Sequence, residues 1–254
     1  MPGIALYLAK HCPFCHRVEL VAEELGVPVV KNYIDLSAKP HWYTQQVHAE
    51  SKVPALAYGG SITPGINSDP QPPSAGSIIL TESSLICEFL SDITSFQNPK
   101  FSTILPPSNP LVRYRIRSFV DSISASLLPA FMGFLRMGKP ADGILAGVEK
   151  LQDNIVATGG KKESGYAVGG GFTLADAVVV PFLARMEVTF SNDIGTYPEG
   201  EGKKLWETLT TDPKYEVFQG YWGRIKELKS FQKTFDRESV TATFTEKYKD
   251  RKAQ

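Results

Sequence analysis

The sequence predicts an α/β module over residues 1–95, a linker over 96–110 and an all-α module over 111–254. Three observations carry this division. Short apolar runs rich in strand formers alternate with helix-spaced segments only in the first part. The stretch "NPKFSTILPPSNP" (98–110) holds four prolines, a composition that suits a connection between domains. Beyond it the apolar spacing is helical, with no convincing period-2 strand.

The elements follow in order. "GIALYLA" (3–9) reads as a buried strand. Pro13 suits the first turn of a helix, where its missing N–H costs nothing. Val18, Val21, Ala22 and Leu25 then fall at helical spacing, and Gly26 ends the run. "VPVVKNYID" (27–35) is a second strand, which makes a β-α-β unit with a parallel pair. A short helix is expected over 39–47, a strand over 53–58, another over 78–82, and a helix over 83–93. Between the two later strands, residues 59–77 are dense in Gly, Pro and Ser and read as a long, mobile insertion. In the second module, 111–137 is helical with a kink expected at Pro129, and 141–158 is amphipathic. Residues 173–190 are apolar nearly all round and belong at the domain centre, with Thr173 and Asp176 forming a capping box. "KKLWETLTT" and "KYEVFQGYWGRIKEL" complete the helices, and "TEKYKDRKAQ" reads as a solvated tail.

A chain of 254 residues with 42% apolar residues can bury a large core. Lys+Arg and Asp+Glu are both 27, so no net charge favours nucleic acid or an anionic membrane as partner. No run of eighteen apolar residues and no signal-peptide pattern are present, and three cysteines are too few for a disulfide scaffold. A cytoplasmic protein with reduced thiols is expected.

The chemistry centres on "HCPFCH" (11–16). The spacing admits haem attachment, zinc, a dithiol, or one reactive thiolate. Haem needs an export route that the sequence does not show. Zinc needs two further ligands in a matching pattern, and Cys87, His41 and His48 form none. No metal is therefore expected, and His11 and His16 read as exposed flanking residues. Cys12 lies at a strand–helix junction, where first-turn amides and the helix dipole favour an anion, and a thiol loses its proton more easily there. Cys15, one turn on, is either a resolving thiol or a small buried side chain. The Val53–Pro54 bond is a candidate for cis, and the plainer alternative is a trans proline entering an edge strand. Glu82–Ser83 marks a helix start that serves as a cap or receives a carboxylate.

Taken together, Cys-Pro-Phe after a short strand, "VPAL", "TES" and an all-helical module resemble the cytosolic glutathione transferases. "CPFCHRVELVAEELGV", "IDLSAKPHWY" and "TESSLICEFL" look most like the omega class. The resemblance implies a thioredoxin-like first domain (βαβ-α-ββα) and a helical second domain. It implies Cys12 as nucleophile and glutathione as co-substrate, held by Phe14, Lys39, Val53, Pro54, Glu82 and Ser83. Lys39 would pair with the glycine carboxylate, Val53 with the cysteinyl backbone, and Glu82 and Ser83 with the γ-glutamyl end. A homodimer is implied too. Cys15 departs from the usual pattern of the class and makes "CPFC" similar to a glutaredoxin dithiol. The loop 59–77 is longer than usual and similar to that of fungal members.

A cysteine at this position predicts thiol transfer: deglutathionylation of small disulfides or glutathionyl conjugates, and dehydroascorbate reduction. The rivals are conjugation of glutathione to electrophiles, carriage of hydrophobic small molecules, and an inactive regulatory relative. For the carrier, Tyr114, Phe119, Phe131, Phe134 and Trp222 are the residues expected to line an apolar cleft, with core packing as their plainer role.

Overall fold

The computed structural model describes residues 3–61, 69–97, 104–159 and 165–250. The middle of the predicted insertion (62–68), part of the predicted linker (98–103) and the last four residues of the tail lie outside this range. The chain divides into two compact units, Met1–Ser102 and Thr103–Gln254.

In the first unit, β1 (Ile4–Leu8), α1 (Pro13–Glu24) and β2 (Val30–Tyr33) form the predicted β-α-β unit, with β1 and β2 parallel. α2 (His41–Gln46) leads to β3 (Ala55–Tyr58), β4 (Ile78–Thr81) and α3 (Ser83–Gln97). The sheet order is β2-β1-β3-β4, with β3 antiparallel to both neighbours. Side chains alternate across this sheet. Ile4, Leu6, Leu8 and Leu56 are buried on one face, which the packed pair α1–α3 covers. Tyr7, Ala55 and Ala57 occupy the other face and join Ile34, Tyr43 and Val47 in a second cluster. The α2 ring of Tyr43 meets Tyr7 edge-on at 5.9 Å. Its hydroxyl donates to the Lys52 carbonyl at 2.7 Å, which ties down the chain just before Pro54.

The second unit is helical among its described residues. α4 (Pro110–Ala125) and α5 (Leu127–Met137) meet at Ser126, so the break precedes the kink expected at Pro129. Pro129 instead sits in the first turn of α5, where N–H groups have no intrahelical acceptor and proline removes nothing. Joined end to end, Pro110–Met137 is long and apolar enough to reach across a bilayer by composition alone, but here it is two packed helices. α6 (Asp142–Ala157) crosses α5 closely: a Cβ added at Gly147 would lie 2.9 Å from the Leu127 Cα. α7 (Leu174–Ser191) is the buried centre, as its all-round apolar character predicts. α8 (Glu201–Thr211), a 3-10 turn (Pro213–Tyr215), α9 (Glu216–Glu227) and α10 (Lys229–Thr234) follow. The tail read as solvated is helical through Tyr248: α11 (Arg237–Tyr248) buries Val240 and Tyr248 and packs on α7.

The capping box of α7 is present and extended. Asp176 Oδ2 accepts from Thr173 N at 2.8 Å and Thr173 Oγ1 at 2.9 Å. Its Oδ1 accepts from Ala167 N at 2.8 Å and Tyr221 Oη at 3.0 Å. Burial pushes the Asp176 carboxyl up to about 6, although all four donors favour its ionised form.

Candidate active site

Cys12 is the N-cap of α1, with Pro13 in the first turn behind it. Its amide donates to the Ala9 carbonyl at 3.0 Å, and its carbonyl accepts from His16 N at 3.2 Å. Those two bonds fix the turn that carries β1 into the helix. They hold the half-buried Cys12 thiol at the positive end of the helix dipole.

The second thiol of the motif has a different setting. Cys15 is fully buried, and the Ala9 amide donates to its Sγ at 3.3 Å. Burial, then the hydrogen bond and charge of Cys12, push the Cys15 thiol well above the ordinary range. Cys87 is also buried and is pushed up to about 12 by desolvation. All three cysteines are free thiols. His16 is buried, not exposed as its polar neighbours suggest, because it falls on the inward face of α1.

A cleft of about 340 Å³, within the range of small-molecule sites, is lined by Phe14, two residues after Cys12 in the chain, while Cys12 itself is not among its lining residues. Phe14, Val53 and Pro54 supply its apolar wall, and Glu82 and Ser83 its polar end. The Val53–Pro54 bond is cis. Glu82 adopts φ 68°, a left-handed conformation uncommon for a non-glycine residue, and its carbonyl accepts from Ile86 N at 2.9 Å. It is therefore Glu82 that caps α3, with Ser83 as the first helical residue. Five of the six residues expected to hold glutathione thus line one cleft. Lys39 does not: its Nζ donates to the Ser51 carbonyl at 2.5 Å and to Ser51 Oγ at 3.0 Å.

Three contributors were not legible in advance. His48 and Lys52 also line the cleft, and Lys52 is paired with Glu50. Arg17, buried on α1, donates to Ser83 Oγ at 3.4 Å and lies 4.9 Å from the Phe14 ring centroid. Burial brings its guanidinium down to about 10, against the opposing pull of Cys87 and Cys12. It remains a cation at neutral pH, under the cleft. A sequence signal existed, since an arginine at this spacing shares the helix face of buried residues, but it reads as a surface charge. Among the described residues no group of three metal-donor side chains converges.

The aromatic residues assigned to an apolar cleft are mostly core. Phe119, Phe131, Phe134 and Trp222 are each at most 2% exposed. Phe131 meets Phe182 and Phe190 edge-on, Phe134 stacks on Tyr197 at 4.2 Å, and Trp222 packs on Phe231. Tyr114 alone is exposed, beside Arg113 and Arg117 on the surface of α4. Core packing wins because large rings bury the most apolar area per residue.

A four-stranded mixed sheet, a cis-proline cleft and a thiol at a helix start, followed by a helical unit, define a glutathione transferase. Residues 11–93 match the family model "Glutathione S-transferase, N-terminal domain". The crystal structure of glutathione transferase Omega 1C from Trametes versicolor is 37% identical, with a TM-score of 0.87 over 100% of both chains. Glutathione S-transferase omega-1 of Sus scrofa is 26% identical over 214 residues, 83% of this chain and 78% of its own. Pyrimidodiazepine synthase of Drosophila melanogaster is 28% identical over 228 residues, 85% of this chain and 80% of its own. The chain belongs to the glutathione transferase family. Within that family its likeness is to the omega class.

Proposed function

We propose that this glutathione transferase works as a thiol transferase through a mixed disulfide on Cys12. The observation that carries the reading is a cysteine thiol, not a hydroxyl, at the start of α1, two residues from the Phe14 wall of the cleft. A hydroxyl there can only hydrogen-bond a glutathione thiolate, whereas a thiolate can itself attack sulfur. The Cys12 thiolate attacks the glutathione sulfur of a mixed disulfide. One S–S bond forms as another breaks, and the substrate leaves as its thiolate. A second glutathione thiolate then attacks the Cys12-bound sulfur, releases glutathione disulfide and restores Cys12. With dehydroascorbate as the oxidant, two glutathione molecules supply the two electrons and two protons, and ascorbate and glutathione disulfide are the products.

Glutathione is extended and carries two carboxylates and one ammonium. The backbone of Val53 suits its cysteinyl amide, and Ser83 with the α3 amides suits the γ-glutamyl carboxylate. Glu82 suits the ammonium. Lys39 reaches the glycine carboxylate by exchanging its Ser51 contacts, with Lys52 as a second cation at the cleft. We place the protein in the cytoplasm as a homodimer, a reading supported by its free thiols and by the exposed apolar residues Ile78, Leu85 and Phe96.

The test is Cys12→Ser assayed against a glutathionylated small disulfide. The expected loss is at least a hundredfold in kcat/KM, with the fold intact. A variant that keeps the full rate would remove Cys12 from the mechanism.

A further inference from the structure

The sheet of the first unit carries a second cavity, of about 260 Å³, that shares no residue with the cis-proline cleft. Its floor is the α2-side face of the sheet: Ala5, Tyr7, Asn32 and Ala57. Register puts these side chains together, since Ala5 pairs with Ala57 and Tyr7 with Asn32. The roof is the end of the long β3–β4 connection, with Pro72 and Pro73 above the floor and Ser74 and Ser77 at the edge. The cavity exists because alanines replace the bulky side chains that strands usually carry. The Gln71 amide ties the roof to the sheet by donating to Asn32 Oδ1 at 2.9 Å.

That bond uses only one end of the Asn32 amide. Asn32 is 3% exposed and Tyr7 1% exposed, and both line the cavity. Neither the Asn32 amide nitrogen nor the Tyr7 hydroxyl has a hydrogen-bond partner among the described residues. Neither residue has an atom among the buried polar atoms that lack a partner, so both donors open into the cavity, where an acceptor on a ligand can take the place of water. The serine hydroxyls at the edge are already engaged: Ser74 and Ser77 bond each other at 3.1 Å, and Ser77 donates to the Gly59 carbonyl at 3.2 Å. No charged side chain lines the space among the described residues.

We propose that this cavity is a binding site for a neutral, single-ring aromatic compound carrying an oxygen acceptor. The volume sets the size. It is below the usual range for drug-sized ligands, about 300 Å³ upward, and above the roughly 150 Å³ that holds benzene. Two proline rings and the Tyr7 ring suit a flat apolar body. The Asn32 amide and Tyr7 hydroxyl suit a carbonyl or ether oxygen, and the uncharged lining disfavours an anion. The proline-rich connection thereby acquires a role as the roof of a ligand site.

The experiment follows the Asn32 side-chain amide by NMR in the full-length protein, titrated with methyl benzoate, ethylbenzene and benzoate. Methyl benzoate is expected to move the Asn32 amide saturably. Ethylbenzene, which has no acceptor, is expected to bind about tenfold more weakly, and benzoate not to bind at this site. Ala57→Met fills the floor and is expected to weaken methyl benzoate at least tenfold while thiol transfer is unchanged. An Asn32 amide unmoved by millimolar methyl benzoate would overturn the proposal. So would equal affinity for ethylbenzene, or undiminished binding by a folded Ala57→Met. The three-ligand comparison on the unaltered protein decides the matter even if that variant does not fold.

Discussion

Two cysteines three positions apart meet opposite environments, and that difference decides their chemistry. Cys12 is half-buried at the mouth of α1, whereas Cys15 is fully buried, and its sulfur is occupied as an acceptor for the Ala9 amide. Burial and the neighbouring Cys12 hold the Cys15 thiol protonated at neutral pH, and a thiol without its thiolate attacks slowly. Cys15→Ala is therefore expected to keep the thiol-transfer rate with a glutathionylated small substrate within about twofold, because the second glutathione performs the resolving step. A tenfold fall in the steady-state rate would make Cys15 the resolving thiol instead. The reactive motif was legible because it is local: Cys, Pro and a helix start are adjacent in sequence. Arg17 was not, because its burial depends on Ser83, 66 positions away. His48 and Lys52 are local to Val53 and Pro54, but no motif in the sequence marks them as facing the cleft.

At the level of elements, the capping box of α7 was readable from Thr173 and Asp176, but its two extra donors come from other segments. The Ala167 amide and the Tyr221 hydroxyl turn a helix cap into a buried junction between α7, α9 and the chain before α7. Its carboxyl, raised to about 6 by burial, has a consequence for stability. The unfolded value is near 4, so the folded state holds this proton more tightly. The contribution is fully present below pH 4 and is lost as pH rises through 6. Urea unfolding should show the unaltered protein gaining stability from pH 7.5 to pH 5 relative to Asp176→Asn, by at most about 3 kcal/mol. An identical pH response in both proteins would contradict this. Strand and helix existence was readable throughout the first unit, where period and punctuation agree. The joint between α4 and α5 was misplaced because proline marks both kinks and helix starts, and sequence alone does not distinguish them. Only the last turn of α11, residues 245–248, falls in the stretch expected to be a solvated tail, and its charged residues outnumber the one side chain it buries, Tyr248.

At the scale of the molecule, three cysteines and a zero net charge gave no reason to expect a disulfide scaffold or an electrostatic partner, and the structure adds where apolar surface remains uncovered. Phe96 is 93% exposed and Leu85 62%, both on α3, and Ile78 on the edge strand β4 is 61% exposed. These exposed side chains are where the proposed homodimer is tested. Sedimentation velocity is expected to give twice the 27.9 kDa chain mass, with Phe96→Glu shifting the population toward the monomer. A monomer at micromolar concentration would remove the homodimer. The β3–β4 connection, unreadable beyond its composition, proves in its described part to be tied to the sheet through Asn32. The central claim is that Cys12 alone carries glutathione during turnover. Mass spectrometry of the intact, glutathione-disulfide-treated protein, followed by peptide mapping, tests it most directly. The account predicts one adduct of glutathione mass, on Cys12, released by reduced glutathione. A Cys12–Cys15 disulfide with no adduct, or an adduct on another cysteine, would contradict it.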